Sequence, residues 1–151
     1  MFSCRLPVFL TLLMVGCHGV NSDELDFTRV SPNRADVVGT WVFASANFQN
    51  SGISQASHVH LHLLEDTTFS AVNLPTPRIA KGEMKMAFSS GIGKWAIRKE
   101  DSSFPTWVVD LLFEDHHMES FHLRHQQSPY LIHLNMGDPD TGRALLLHRT
   151  G

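Results

Sequence analysis

The chain has 151 residues, of which 12 are lysine or arginine and 15 are aspartate or glutamate, so its formal net charge at pH 7 is −3. No cluster of basic residues stands out, which argues against nucleic-acid binding. The only two cysteines, Cys4 and Cys17, lie near the N-terminus. The rest of the chain therefore offers no thiol nucleophile, no cysteine metal ligand and no internal disulfide.

The first predicted element is an export signal. Arg5 supplies a positive charge, and the apolar run at residues 8–15 is long enough for a signal peptide but too short to cross a bilayer as a helix. The run ends in Leu-Met-Val-Gly-Cys at residues 13–17. This pentapeptide resembles the lipobox at which bacterial lipoprotein signals are cut before a cysteine that becomes diacylated. The resemblance implies a lipid anchor on Cys17.

The residue after the lipobox cysteine bears on location. His18 is not the aspartate associated with inner-membrane retention, so the resemblance implies an outer-membrane anchor facing the periplasm. An ordinary cleaved signal, cut near residues 19–22 and releasing a secreted protein, is the alternative.

These signals divide the chain into three parts. Residues 1–16 are the predicted lipoprotein signal peptide, and residues 17–36 are the predicted lipidated N-terminus and tether, because they are polar and broken by a Ser-Pro-Asn turn. Residues 37–151 are the predicted folded domain, which is long enough for a single core.

The folded domain is predicted to be all-β. Apolar and polar residues alternate over short runs that are separated by turn residues, and no stretch keeps a capped helical period. Pro75 and Pro77 are expected to end the third strand. The predicted strands are 37–46, 58–64, 69–74, a weaker 82–88, 93–99, 106–114, 119–124, 130–135 and 143–149.

Eight or nine short strands with hairpin-length connections favour an antiparallel meander. An open sheet of this size would leave unpaired edges, which closure into a barrel removes. The sequence therefore predicts a small closed barrel, with a two-sheet sandwich as the alternative. Trp107, Val109, Leu111 and Phe113 are expected to face its interior, with Val108 on the outer face.

Several short motifs resemble lipocalins and lipocalin-like barrels of bacterial lipoproteins. Gly39-x-Trp41 resembles the motif that opens lipocalins, and Arg149 matches the late arginine that packs across that tryptophan. The resemblance implies structural roles for Gly39, Trp41 and Arg149. Further similar motifs are the hairpin at residues 61–69, Gly-Lys-Trp at 93–95 and the Gly-Asp-Pro-Asp-Thr-Gly turn at 137–142.

Three histidines form the most suggestive cluster for chemistry. His58, His60 and His62 alternate along one strand, so their imidazoles share one face, with neighbours about 7 Å apart. Zinc or copper would suit such donors. The other interpretations are a solvated polar face opposite Val59, Leu61 and Leu63, and a pH-responsive surface, because imidazole titrates between about pH 5 and 8. Additional ligands could come from His122, His125, His133 or His148.

Catalytic motifs are absent from the sequence: there is no nucleophile elbow, zinc-protease helix or phosphate-binding glycine loop. We therefore expect a non-enzymatic, membrane-anchored binding protein with no cofactor. Its partner would be another protein, such as a toxin or hydrolase in the envelope, or a small apolar ligand. A periplasmic metal-binding protein using the His58, His60 and His62 face is the alternative.

Overall fold

The computed structural model describes residues 26–46, 58–80, 83–101, 105–136 and 144–151. The predicted lipidation site Cys17 and the turn at 137–142 lie outside these residues. The elements within them are one short helix, α1 (Arg34–Val37), and eight strands: β1 (Gly39–Ala46), β2 (His60–Leu63), β3 (Thr68–Ala80), β4 (Glu83–Lys99), β5 (Trp107–Phe113), β6 (Met118–Arg124), β7 (Leu131–Asn135) and β8 (Ala144–Thr150).

The eight strands form a closed antiparallel barrel in sequence order. Each strand pairs with the next, and β1 also pairs with β8, where Trp41 lies opposite Arg149. The predicted all-β meander barrel is thus confirmed, with eight strands, and the sandwich alternative is wrong. Because the barrel is closed, the central part of each strand has a hydrogen-bonded neighbouring strand on both sides, which satisfies its backbone N–H and C=O groups.

The strand boundary predicted at Pro75 and Pro77 is wrong. β3 continues through both prolines to Ala80, and β4 is one strand where two were predicted. Proline lacks an N–H, so it is tolerated where a strand has one neighbour. Among the described residues, positions 74–80 pair with β4 alone, whereas β2 reaches only as far as Val72. The end of β3 and the start of β4 therefore form a hairpin that extends past β2.

Period-two alternation places the core inside the barrel. On β2, Leu61 and Leu63 have no exposed surface, while His60 and His62 face out. On β5, Val109, Leu111 and Phe113 are buried as predicted. The largest fully buried side chains are Trp41, Phe69, Leu61, Leu63, Leu74, Leu111, Leu123, Ile132, Leu134, Leu145, Leu147 and Val37.

An N-terminal strap, residues 26–33, crosses one end of the barrel. The Thr28 backbone N–H donates to Leu123 O (2.9 Å), and the Trp107 N–H donates to Thr28 O (3.0 Å). The strap thus lies between the start of β5 and the end of β6. We call this end, with the strap, α1 and the turn at residues 64–67, the strap end. It includes residues 26–36 of the segment that the sequence assigns to the tether.

Candidate binding surfaces

The three residues predicted to have structural roles meet at the strap end. Trp41 is fully buried, and its indole Nε1 donates to Val37 O at 2.9 Å. Arg149 Nη1 donates to Ala35 O (3.0 Å) and to Val38 O (3.1 Å). The guanidinium therefore ties the last strand to α1, and the tryptophan ties the first strand to the same helix.

The cation–π contact between arginine and tryptophan in the described part of the chain involves Trp95 and not Trp41. The Arg34 guanidinium lies 4.9 Å from the ring centroid of Trp95, and Arg34 Nη2 donates to Glu65 O at 3.0 Å. Trp95 Nε1 donates to Leu64 O at 2.8 Å. Trp41 has no exposed surface, so core side chains enclose its ring. Trp95 lies at the rim, where Arg34 can reach it from the strap end.

Two open clefts flank Arg34 at the strap end. One, of about 390 Å³, lies between α1 and Glu65. The other, of about 350 Å³, is lined by Pro32, Trp95, Trp107 and their neighbours. Both linings include the Arg34 guanidinium, and the first also includes the Glu65 carboxylate; neither contains an imidazole, a thiol or an amine.

The predicted histidine face points outward. His58, His60 and His62 are exposed, and Val59, Leu61 and Leu63 are buried, which confirms the predicted orientation. Within the described parts of the chain, no group of three or more histidine, cysteine, aspartate or glutamate side chains is placed to hold a metal ion.

The other candidate histidine ligands are engaged elsewhere or lie apart. His122 Nε2 lies 2.9 Å from Glu100 Oε2, and His125 Nδ1 donates to Pro129 O at 2.8 Å. His133 Nε2 lies 2.9 Å from Asn135 Oδ1. His148 is exposed on β8, opposite Val42 and Leu131. The barrel therefore does not gather these rings around the face of β2.

A further pair lies in the turn between β5 and β6. The ring of His117 stacks on Phe113, with centroids 4.1 Å apart, and is hydrogen-bonded to the Asp115 carboxylate. This hydrogen bond is the main reason that the pKa of Asp115 is lowered. Aspartate and histidine are residue types that can bind metals, but these contacts explain both side chains in this turn structurally.

The strap is held by contacts that the sequence reasoning missed. The ring of Phe27 lies 5.0 Å from that of His122 and 5.1 Å from that of His133, on the outer wall. The Asp26 carboxylate lies 3.2 Å from Arg124 Nη2 and 3.7 Å from His125 Nε2. The sequence offers one signal for these contacts, because Phe27 is a lone aromatic residue in a polar segment. Its partners follow about a hundred positions later in the chain.

The outer wall also carries an apolar stripe that the sequence did not reveal. Its members are Val72 (48% exposed), Ile92 (53%), Leu112 (45%) and Met118 (61%), one on each of β3, β4, β5 and β6. Leu112 is paired with Met118, and Ile92 lies diagonally from Leu112, because Lys94 is the residue opposite Leu112. We call these four residues the outer stripe.

The outer stripe points to a contact surface because its exposed apolar residues lie next to one another. Single exposed aliphatic residues are common on soluble proteins, whereas adjacent ones mark surfaces that contact a partner or a membrane. The stripe holds four of the six large hydrophobic residues that are exposed in the described part of the chain. The other two, Val30 and Leu64, lie at the strap end.

Comparisons with known protein families, with curated proteins and with solved structures found no match to this chain. Within the described residues, no helix combines the length and the apolar character needed to cross a membrane.

Proposed function

We propose that this protein is a membrane-anchored, non-enzymatic binding protein: a lipocalin-like barrel on a lipidated Cys17, facing the periplasm from the outer membrane. Its partner is another protein of the cell envelope, such as a toxin or hydrolase that it neutralises. The outer stripe is the observation that carries the proposal of a protein partner, because a contiguous apolar wall gains stability when a second protein covers it.

The core bears on the choice between a protein partner and a small apolar ligand. Within the described residues, a continuous cluster of buried side chains that includes Trp41, Phe69, Phe113 and Phe121 packs inside the barrel. Side chains of this size occupy the space that an eight-stranded barrel would offer to a ligand. This supports binding on the outer surface.

Site-specific photocrosslinking in cells tests the proposal. A benzophenone amino acid replaces Leu112 in the outer stripe, and the matched control places it at His148, which is exposed on the wall at β8. We expect a discrete crosslinked product from position 112 that is absent at position 148. Replacing Ile92 with Ser should weaken the product. Equal products at both positions, or none at 112, would contradict a partner at the stripe.

Metal binding by His58, His60 and His62 is the alternative function. The observation in its favour is that all three histidines are exposed, two of them on the outer face of β2. Neutral imidazole nitrogen atoms are good ligands for zinc and copper. The zinc titration described in the Discussion separates this role from protein binding.

A further inference from the structure

We infer that the strap end of the barrel rests on the lipid surface, with Val30 and Leu64 in contact with the lipid. This inference rests on the proposed lipidation of Cys17 and adds an orientation to it. Three features of the strap end support it: the attachment of the strap to the end of β6, the short connection to Cys17, and the side chains exposed there.

The strap leads the chain directly to this end. The His125 N–H donates to Asp26 O (2.8 Å), the Thr28 N–H donates to Leu123 O (2.9 Å), and Gln126 Nε2 donates to Phe27 O (2.6 Å). Phe27 is half-buried between two histidine rings. The first described residues are therefore fastened to β6, and an anchor that precedes them pulls on the strap end and not on the opposite rim.

The connection to the proposed anchor is short. Eight residues, 18–25, separate Cys17 from Asp26. The covalent chain between them can span at most about 30 Å. The strap end is thus confined close to the headgroups, and even a weak contact is made at a high effective concentration.

The exposed side chains suit such a contact. Val30 is 60% exposed and Leu64 is 38% exposed. Arg29 and Arg34 are exposed at the same end. Guanidinium groups bind lipid phosphates well, and Arg29 is the one of the two without the Arg34 contacts to Glu65 O and the Trp95 ring. Glu65 and Asp66 are also exposed at this end and oppose an anionic surface. The contact is therefore weak for the untethered barrel and depends on the anchor.

This orientation leaves the partner surface free. The barrel stands with its strap end on the membrane, the outer stripe on its side wall, and the β3–β4 hairpin at the end that points away from the lipid. A periplasmic protein can then reach the stripe without competing with the bilayer.

Fluorescence of the lipidated protein in vesicles tests the inference. Cysteine replaces Leu64 or Val30, and Met118 in the outer stripe provides the control position. In the mature lipoprotein Cys4 is removed and the Cys17 sulfur is acylated, so an environment-sensitive NBD label reacts only with the new thiol. The vesicles contain phosphatidylethanolamine and phosphatidylglycerol. We expect blue-shifted NBD emission, enhanced several-fold, at positions 64 and 30 and little change at 118.

The possible outcomes distinguish a failure of the proposed orientation from a failure of the proposed lipid anchor on Cys17. Mass spectrometry that shows acylated Cys17, together with water-like emission at positions 64 and 30, would overturn the orientation while leaving the anchor intact. A mature chain without lipid would overturn the anchor itself. A Cys17→Ser protein carrying the label at position 64 should show no shift when vesicles are added, and a shift equal to that of the lipidated form would contradict the role of the tether.

Discussion

Arg149 lies directly over Gly39 at the strap end of the barrel. A Cβ atom on residue 39 would stand 3.0 Å from Arg149 Cδ, and Gly39 has a φ of +136°. This backbone conformation is rarely available to residues with a side chain. The glycine thus lets the arginine cross the start of β1 and reach Ala35 O and Val38 O.

Replacing Gly39 with Ala should therefore destabilise the barrel by about 1–3 kcal/mol, the range for a residue held in a strained backbone region. Urea unfolding measures the change. Gly151→Ala is the control, because its Cβ would meet nothing within 4 Å and its φ is not positive. A loss at position 39 no larger than the loss at position 151 would contradict the special role of Gly39.

Trp41→Ala should cost about 3–5 kcal/mol in unfolding free energy, as for large aromatic truncations in cores. Trp41→Phe keeps much of the apolar contact but loses the hydrogen bond to Val37 O, so it should cost less. Leu112→Ala serves as a surface control and should stay within about 0.5 kcal/mol. If Trp41→Ala unfolded at the same urea concentration as the wild type, Trp41 would not be the core residue that its burial indicates.

The lipid anchor predicts a change of cellular fraction. Cys17→Ser should leave a soluble protein or an uncleaved precursor, because acyl chains contribute about 0.8 kcal/mol of membrane affinity per buried CH₂. Fractionation with mass spectrometry of the mature N-terminus measures this. Cys4→Ser is the control and should behave as wild type. A lipid-free mature chain that begins near Ser22 would instead support ordinary secretion.

The histidine face should bind zinc only weakly. A strong site needs neighbours that fix each ring, and residues 59 and 61 between the histidines face the core. Calorimetry with Zn²⁺ and Cu²⁺ on wild type and His60→Ala should show little difference. Stoichiometric, sub-micromolar binding that disappears in His60→Ala would support the metal-binding alternative.

The turn between β2 and β3 should respond to pH through Asp66. Hydrogen bonds from the Thr68 hydroxyl (2.5 Å) and then from its backbone N–H (2.9 Å) lower the pKa of Asp66 from its ordinary value of 3.8. Because the folded-state pKa is lowered, the carboxylate stabilises the fold above about pH 3.8, and this contribution is lost as the pH falls through the folded-state pKa.

Thr68→Val removes the hydroxyl donor and should move the Asp66 pKa back toward its ordinary value, as measured by NMR titration of the carboxyl carbon. If Thr68→Val lowers the free energy of unfolding at pH 7, that loss should become smaller at low pH, where Asp66 is protonated in both proteins. Asp115, whose pKa is lowered mainly by His117, is the internal control and should not move. An unchanged Asp66 pKa would show that the backbone N–H alone is sufficient.

Local sequence patterns were enough to predict the wall of the barrel. Alternation on β2 placed Leu61 inside and His60 outside because side chains on a strand point to opposite faces in turn. The prediction that Pro75 ends β3 was wrong, because the effect of a proline depends on whether its strand has one neighbouring strand or two at that position. Strand pairing decides this, and the residue pattern of a single strand does not reveal the pairing.

Val108 shows the limit of the same pattern. Alternation placed it on the outer face, yet it is 1% exposed. The strap covers this part of the wall: Phe27 packs against His122, the residue paired with Val108. An outward position is buried when a distant segment returns to cover it.

The sequence by itself determined the all-β class, the meander order and the inward residues of β2, because these depend on neighbours in the chain. Only the tertiary structure decided the strap and the outer stripe. The strap joins Thr28 to His125, 97 positions apart, and the stripe takes one residue from each of four strands. Both arise from barrel closure and strand register, which bring together residues that no local pattern connects.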